Sequence, residues 1–314
     1  MYLIKKSKII ITILSLMFLN IQSASTLENK ILFKVDNEII TSFDIFEEIK
    51  FLKTFNPEMR GLGEAELFEI SKNSIFKDKV KKIEILNFVT ELKIDDKFLL
   101  RLIKGKYSKK EINSIEDFEN YLKNNNLDID VIKEKFTIEL IWNDLIYQKF
   151  NKKIVINKEK IKKEILRNPQ KKIQRELLLS EIIFNVEDKN DFKNKYEKIL
   201  IDIEQKGFKK SALIHSKSDT AINGGLIGWI KEDNLNQNVK KIVSKLKPGQ
   251  FSKPIRASSG FIIIKIEDKR ENISKFNFDE KLKEVIRFKT NNQLDQFSSM
   301  YFNKLKKNLI IYGL

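Results

Sequence analysis

The segment SKSDTAINGGLIGW, residues Ser216–Trp229, carries the strongest structural signal in the sequence. It places three of the chain's 10 glycines beside a tryptophan, which indicates a turn whose backbone takes conformations that other residues avoid. Within Ile173–Val186, the largely apolar run Leu177–Phe184 precedes this glycine-rich turn and another run at Ser259–Ile266 follows it, and each run predicts a buried strand. A second turn, LKPGQFSKPI at residues 246–255, comes just before the last strand.

Two helices are predicted between the first of these strands and the glycine-rich turn. Asp191–Gln205 has helical spacing and is followed by Gly207, a residue type that commonly ends helices. Phe208–His215 follows as a shorter helix. The predicted order is therefore a strand, two helices, the glycine-rich turn, the proline–glycine turn and a final strand.

In this order and in its two turns, the segment from about Arg175 to Arg270 resembles a parvulin-type (PpiC-like) peptidyl-prolyl isomerase domain. The motifs that carry the resemblance are GGLIGW at Gly224–Trp229 and PGQFSKP at Pro248–Pro254. The resemblance implies a parvulin-like domain at residues 173–271, in which helices surround a half-barrel of four antiparallel strands. It also implies an apolar pocket for the proline ring.

The resemblance implies five substrate-binding residues, which are Ile227, Leu235, Val239, Phe251 and Ser259. Isomerisation must cross the barrier of ~18–20 kcal/mol that amide resonance imposes. A dry pocket that fits the twisted amide better than the planar one lowers this barrier. Taken by themselves, the four apolar residues could equally be ordinary core side chains.

The chain departs from the parvulin pattern at its polar positions. The pattern has one histidine on the first strand and a second on the last strand, where this chain has Glu181 and Ile262. Asp219 best matches the polar residue that the family places before the glycine-rich turn. The resemblance therefore assigns Asp219 and Glu181 to catalysis, and the loss of both histidines predicts weak isomerase activity or none. The single histidine of the chain, His215, matches neither family position.

The N-terminal part of the chain is predicted to form a helical lobe. Ile31–Val35 and Glu38–Ile40 are predicted strands joined by a turn, and Thr41 can cap the helix that follows. Apolar residues then recur at helical spacing from Glu64 to about Phe150. A short extended piece at Lys152–Ile156 is predicted to pair with the first strand and so to close the lobe.

The opening VDNEIIT at Val35–Thr41 and the helical lobe resemble the SurA-type periplasmic chaperones. Those proteins carry an N-terminal chaperone lobe, one or more parvulin domains and a C-terminal helix that returns to the first lobe. Phe278–Lys307 supplies such a helix here. The resemblance implies a chaperone lobe at residues 25–170 and a C-terminal helical segment at residues 275–314 that packs on it. The predicted fold class is α+β: a mostly helical lobe completed by this helix, plus a parvulin-like domain with a four-stranded antiparallel sheet.

The first residues have the order of an export signal. Three lysines precede an apolar run at Ile9–Leu19, and small and polar residues follow it. The run is shorter than the about 20 residues that an uncleaved anchor needs. Cleavage is therefore expected after Ala24 or Ser25, which would remove residues 1–24 as a signal peptide and deliver the protein to the periplasm. A retained N-terminal anchor is the alternative.

Composition excludes several kinds of site. There is no cysteine, which excludes disulfides, thiolate metal sites and cysteine nucleophiles, and one histidine argues against zinc and Ser-His-Asp sites. No metal and no cofactor are expected. The net charge of +16 comes from lysines and arginines spread along the chain among 44 acidic residues, which is typical of a solvated lysine-rich surface. No nucleic-acid partner and no stable membrane insertion are therefore expected.

Several functions remain open on the sequence alone. The first hypothesis is a periplasmic chaperone that binds unfolded or partly folded polypeptides, with outer-membrane β-barrel precursors as expected clients and a parvulin-like domain that binds proline-containing segments. The main alternative is an active peptidyl-prolyl cis-trans isomerase that assists folding. An assembly factor with one dedicated partner is a third hypothesis. Nucleic-acid binding, suggested only by the positive charge, is the fourth, and export argues against it.

Overall fold

A helical lobe and a sheet domain make up the part of the chain that the structure describes. The computed structural model describes residues 29–107, 112, 114–167, 173–257, 260–273 and 277–313. The expected signal peptide, residues 1–24, lies outside the described residues. Within the described part, no helix has both the length and the apolar character needed to cross a bilayer. The acidic and histidine side chains of that part also form no group suited to hold a metal ion.

The helical lobe begins with a hairpin and continues as helices. Its elements are β1 (Ile31–Val35), β2 (Glu38–Thr41), α1 (Ser42–Phe55), α2 (Glu64–Leu86), α3 (Asp96–Tyr107), α4 (Ile115–Asn124), α5 (Ile129–Phe150) and α6 (Lys158–Leu166). Thr41 caps α1 as predicted: its hydroxyl accepts from the Asp44 amide, and the Asp44 carboxylate accepts from the Thr41 amide. The hairpin thus passes directly into the first helix.

The sheet domain follows, and the chain then returns to the lobe. The domain contains β3 (Ile173–Phe184), α7 (Lys189–Lys206), α8 (Phe208–His215), β4 (Leu226–Lys231), α9 (Gln237–Val243), β5 (Ile255–Ala257) and β6 (Gly260–Ile273). A long helix, α10 (Phe278–Asn308), and a short strand, β7 (Ile311–Tyr312), complete the described chain. The sheet order is β4-β3-β6-β5 and all its pairs are antiparallel, which confirms the predicted four-stranded antiparallel sheet.

The strand that closes the lobe is not the predicted one. β1 pairs with β2 on one side and with β7, at the other end of the chain, on the other side. The prediction that Lys152–Ile156 pairs with β1 is therefore wrong. The Gln293 side chain of α10 accepts from the Val155 amide and donates to the Val155 carbonyl, at 3.0 and 2.9 Å. This side chain thus occupies the backbone groups through which Val155 would join a sheet.

Helix α10 completes the core of the lobe, as the fold prediction stated. Its Phe302 and Leu305 pack against two buried clusters, one built on β1 and α2 and the other on α2 and α5. Trp142 of α5 is fully buried and donates its indole N–H to Ser298 at 2.9 Å. Near its start α10 contacts the sheet domain, where Glu284 pairs with Lys231, and near its end it packs in the lobe. The helix therefore links the two regions.

The sheet of the domain has two apolar faces, which α-helices cover. Successive residues of β6 point to opposite faces, so Ile264 and Ile263 belong to different clusters. The aliphatic face is the cluster of Leu177, Leu179, Val243, Ile264 and Ile266, and α9 covers it. The aromatic face is the cluster of Ile182, Phe184, Ile199, Ile203, Phe208, Ala212 and Ile263, and α7 and α8 cover it.

Candidate functional site

The candidate site lies on the aliphatic face, where Glu181 stands in the middle of β3. Glu181 lies opposite Ile264 in the β3–β6 ladder and is 9% exposed. Its backbone N–H donates to the Gly225 carbonyl at 2.8 Å. A Cβ on Gly225 would collide with the Glu181 carbonyl oxygen, and its φ is +80°. The glycine-rich turn is therefore needed because the chain passes this close to Glu181.

Two hydroxyl groups hold the Glu181 carboxylate. Oε1 accepts from Ser218 Oγ at 2.6 Å and from Thr220 Oγ1 at 3.0 Å. Burial raises the pKa of Glu181, the two hydroxyl donors lower it, and the charge of Asp219 raises it further, with a raised pKa as the result. No cation pairs with Glu181 among the described residues. The site therefore contains a buried acid that only neutral donors stabilise.

Asp219 does not join this cluster. Its side chain is 73% exposed and lies 3.4 Å from Lys77 Nζ of α2, in the helical lobe. The residues that reach Glu181 are its neighbours on either side, Ser218 and Thr220. A 3₁₀ turn at Asp219–Asn223 causes this arrangement, because it directs successive side chains away from one another. The sequence could have indicated these partners through the hydroxyl groups of Ser218 and Thr220. The prediction instead assigned Asp219, between them, because an acidic residue best matched the polar position of the family.

Part of the predicted pocket is assembled on the aliphatic face. Leu235 and Val239 pack against it, and so does Ile262, the residue that stands where the family has its second histidine. Ile262 thus extends the apolar wall beside Glu181. Ile227 is 37% exposed at the start of β4 and belongs to none of the buried clusters. Leu235, Val239 and Ile262 are each half-buried, so the aliphatic face presents an apolar surface beside one buried carboxyl group, and we call this surface the recess. It lacks the paired imidazoles of the family pattern.

Phe251 lies elsewhere, and Ser259 lies outside the described residues. Phe251 packs against the aromatic face, with its ring centroid 6.1 Å from that of Phe208. The expectation that it lines the pocket is corrected by this placement. Its backbone forms an isolated bridge to Lys265, the neighbour of Ile264, and this register directs the side chain away from the aliphatic face. Phe261 also packs on the aromatic face, against Phe192 and Phe184.

His215 makes a structural pair outside the site. Its Nε2 lies 2.5 Å from Asp202 Oδ2 of α7. Burial lowers the pKa of His215, although Asp202 opposes this effect. Lys206 bridges the same aspartate, at 2.8 Å, to Glu66 of the helical lobe, at 2.6 Å. The histidine therefore supports the contact between the two regions and does not face the aliphatic recess.

The loop that carries Ser218 and Thr220 also docks on the helical lobe. Asn56 Nδ2 donates to the Ile222 carbonyl at 2.5 Å, and the Ile222 side chain packs against the core of the lobe. Leu213 of α8 is buried in the same core. No pattern in the sequence indicated that Asp295 of α10 lies close enough to Asp219 and Glu181 for their charges to act on it. Burial, Asp219 and Glu181 raise the pKa of Asp295 to about 6. Both regions therefore contribute to the surroundings of the candidate site.

Comparison with known proteins identifies the sheet domain. A family model described as "Rotamase: PPIC-type PPIASE domain" matches residues 165–268. The protein "Chaperone SurA" of Hahella chejuensis is 25% identical over 182 residues, which cover 55% of this chain and 42% of that protein. "Chaperone SurA" of Nitrosococcus oceani is 30% identical over 166 residues, or 50% of this chain and 39% of that protein. The chain thus spans less than half the length of these curated relatives.

Solved structures include an isolated domain of the same kind. The crystal structure of a PpiC-type peptidyl-prolyl cis-trans isomerase domain has 32% sequence identity and covers 31% of this chain and 94% of its own, with a TM-score of 0.28. The family match spans β3, the glycine-rich turn, β4 and most of β6. Residues 165–268 therefore belong to the PPIC-type rotamase domain family, in a chain that is similar to the SurA chaperones.

Proposed function

We propose that the protein is a chaperone that binds unfolded or partly folded polypeptides, and that its parvulin-type domain binds proline-containing segments with weak isomerase activity or none. The observation that carries the proposal is the exposed apolar surface of the helical lobe. Client binding of this kind needs accessible apolar area and little side-chain chemistry. The similarity to the SurA chaperones supports the same function.

The exposed apolar surface surrounds the three-stranded sheet and the start of α1. Ile39 and Tyr312 lie on either side of Lys34 on the outward face of that sheet, and they are 44% and 59% exposed. Phe43 and Phe46 follow on α1, at 55% and 42%. Large apolar side chains exposed on neighbouring elements in this way are available to a partner that covers them. We refer to these four residues as the lobe patch.

The parvulin-type domain is assigned a binding role because its recess keeps the apolar wall and lacks the family's polar pair. Leu235, Val239 and Ile262 can exclude water from a proline ring. Glu181 Oε1 already accepts hydrogen bonds from Ser218 and Thr220, so these two hydroxyl groups compete with a substrate for that oxygen. Differential binding of the twisted amide then rests on the shape of the recess alone, which predicts a small rate effect.

Outer-membrane β-barrel precursors in the periplasm are the proposed clients. Such chains expose alternating apolar residues before they insert, and the lobe patch offers a sheet face and a helix that match that pattern. The export signal expected at residues 1–24 would bring the protein to the same compartment. The positive charge of the chain then acts as a solvated surface and does not require a nucleic-acid partner.

Aggregation of an unfolded β-barrel protein, diluted from urea, tests the chaperone proposal. The double variant Phe43→Ser/Phe46→Ser should lose most of the protection that the parent protein gives. The matched control is Phe88→Ser/Phe98→Ser, since these two side chains are 56% and 55% exposed outside the lobe patch. Equal protection by both variants would remove the lobe patch as the client site. No protection by the parent protein would overturn the proposal.

An active isomerase is the second candidate. It is favoured by the apolar wall of Leu235 and Val239, which remains in place on the aliphatic face. If this candidate is correct, Leu235→Ala and Val239→Ala should each slow cis/trans exchange of a proline peptide. Unchanged rates in both variants would exclude this recess as an isomerase site.

A further inference from the structure

The longest stretch of the chain without an acidic residue lies in the parvulin-type domain. It comprises residues 234–266 and contains seven lysines and arginines. Acids at its two borders neutralise two of them: Lys240 Nζ lies 2.7 Å from the Asp233 carboxylate. At the other border, Lys265 pairs with Glu267 in the same way, at 2.7 Å. The remaining cations have no acid within the stretch to compensate them.

The helix α9 directs two lysines of this stretch away from the sheet. Its Val239 and Val243 pack on the aliphatic face. Lys241 and Lys245 each follow one of these valines by two positions, about 200° around a helix, so they lie on the opposite, outward side. The helical turn continues this far, because the Lys245 amide donates to the Ile242 carbonyl at 3.2 Å. Both lysines are exposed.

The carbonyl of Leu246 joins two further lysines to this end of α9. Lys269 of β6 donates its ammonium group to that carbonyl. Lys245 and Lys247 are the residues on either side of Leu246, so three lysines from two elements lie around one backbone group. Lys247 and Lys269 are also exposed. We call Lys241, Lys245, Lys247 and Lys269 the basic turn.

The positive charge of the basic turn has little compensation. Among the described residues, none of its four lysines has a carboxylate within ion-pair distance. The acid nearest to them in the sequence is Asp268, whose carboxylate accepts from the Lys269 backbone amide at 2.7 Å. Four ammonium groups beside one carboxylate leave a positive potential that extends about 10 Å into solvent at 0.1 M salt.

The surface around the basic turn is an exposed turn without an apolar centre. Residues 247–250 are all exposed. None of the exposed large apolar side chains of the described chain belongs to residues 234–266, whose large apolar residues are buried or half-buried. A polypeptide interface needs an apolar centre, whereas attraction to lipid headgroups needs charge alone. The composition of this surface therefore favours headgroups.

We infer that the basic turn holds the parvulin-type domain against an anionic lipid surface, by adsorption to the headgroups without insertion. Each ammonium group that approaches such a surface raises the affinity about 5-fold. The turn follows the side of β6 that does not pair with β3, because the Gly249 amide donates to the Ile266 carbonyl at 2.7 Å. At the opposite edge of the sheet, β4 contacts α10. The lobe patch belongs to the other region, so adsorption by this edge leaves it open to clients.

Sedimentation with lipid vesicles tests the inference. The protein is purified without residues 1–24, so that the expected export signal does not itself insert. It should bind vesicles of phosphatidylcholine mixed with an equal amount of phosphatidylglycerol, and it should not bind vesicles of phosphatidylcholine alone. Binding should disappear at about 1 M salt, where screening is nearly complete. Equal binding to both kinds of vesicle would overturn the inference.

Substitution of two lysines of the basic turn separates this surface from the general charge of the chain. Lys245→Gln/Lys247→Gln should weaken binding to the mixed vesicles about 30-fold, while Lys245→Arg/Lys247→Arg should keep it. Lys123→Gln/Lys160→Gln removes the same charge from exposed positions on α4 and α6 and should weaken binding less than about 2-fold. Equal losses in the two glutamine variants would overturn the inference.

A DNA duplex provides the remaining comparison, because it also attracts lysines. If the protein binds the duplex more tightly than the mixed vesicles at the same salt concentration, and Lys245→Gln/Lys247→Gln abolishes that binding, the basic turn is a nucleic-acid site and the inference is wrong. Weaker binding to the duplex than to the vesicles is the expected result. Protection of unfolded clients depends on the lobe patch, so it should be the same in the parent protein and in this variant.

Discussion

Glu48 in the lobe and Glu181 in the parvulin-type domain are both buried carboxylates, and their partners differ. In the lobe, Glu48 is 5% exposed and meets Lys135 Nζ at 2.7 Å, and the same ammonium group also contacts Asp78. In the parvulin-type domain, the side-chain hydrogen-bond partners of the Glu181 carboxylate among the described residues are Ser218 and Thr220. Burial raises the pKa of both acids, but a cation opposes the rise only at Glu48. The lobe uses its buried charge to hold helices together, whereas the domain keeps an uncompensated acid at its recess.

Removal of the Lys135 ammonium group from the lobe should cause the largest loss of stability. Lys135→Met leaves the buried Glu48 and the half-buried Asp78 beside each other without a counter-charge, which is expected to lower the free energy of unfolding by about 3 kcal/mol. The measurement is urea unfolding followed through hydrogen exchange of the α5 amides. Lys133→Met is the control, since its ion pair with Glu119 is solvent-exposed and should contribute about 0.5 kcal/mol. Equal losses in the two variants would show that the buried network is not special.

The second-largest effect is expected when α10 loses a packing contact with the lobe, which should destabilise the lobe and leave the sheet domain unchanged. Phe302→Ala removes a ring that packs on two clusters of the lobe, at an expected cost of about 2–3 kcal/mol. Amides of β1 and α2 should then exchange faster, while those of β3 and β6 stay protected. Met300→Ala, on the same helix but 67% exposed, should change neither set. Equal loss of protection in β3 would mean that the two regions unfold as one unit.

A smaller effect is expected at the recess. Leu235→Ala shortens a half-buried wall residue and should weaken the binding of an aromatic–proline peptide about 5-fold, which corresponds to about 1 kcal/mol. Chemical-shift titration measures this change. Ile201→Ala, at an exposed position on α7, should leave the affinity unaltered. If both variants bind as the parent does, the peptide occupies another surface.

The smallest effect concerns the uncompensated acid itself. Because burial raises the pKa of Glu181 above its ordinary value of 4.5, its contribution to stability is fully present below pH 4.5 and is lost as pH rises through the native pKa. Glu181→Gln can accept the same two hydrogen bonds without a charge to bury. The variant should therefore gain stability relative to the parent as the pH rises from 4 to 8, measured through the exchange of the β3 amides. A constant difference over this range would contradict the assignment of a raised pKa.

Local patterns predicted most of the fold. The Thr41 cap, the helix at Phe208–His215 and the strands on either side of the glycine-rich turn depend on neighbouring residues, and the structure contains each of them. The pairing of β1 with β7 depends on residues almost 280 positions apart in the chain, and no local pattern specifies it. The extended piece near Val155 was a plausible strand partner for β1 on local grounds. In the structure the Gln293 side chain binds the backbone groups that this pairing would need.

The candidate site was predictable only in part. The replacement of both family histidines was visible at Glu181 and Ile262, and the apolar character of Leu235 and Val239 was evident. The partners of Glu181 depend on the turn geometry at positions 218–220, which a match on charge could not resolve. The approach of Asp295 to Glu181 and Asp219 depends on the path of α10, so no local sequence pattern could indicate it.

We propose that the recess binds proline-containing segments without appreciable catalysis. Cis/trans exchange of a short aromatic–proline peptide, measured by NMR with the purified protein, tests this proposal. Uncatalysed exchange takes tens of seconds. We expect the peptide signals to shift on addition of the protein, because the recess binds the segment. The exchange rate should stay close to the uncatalysed rate. Exchange much faster than this, and slowed by Leu235→Ala, would contradict the account and show that the recess catalyses isomerisation without the family's histidines.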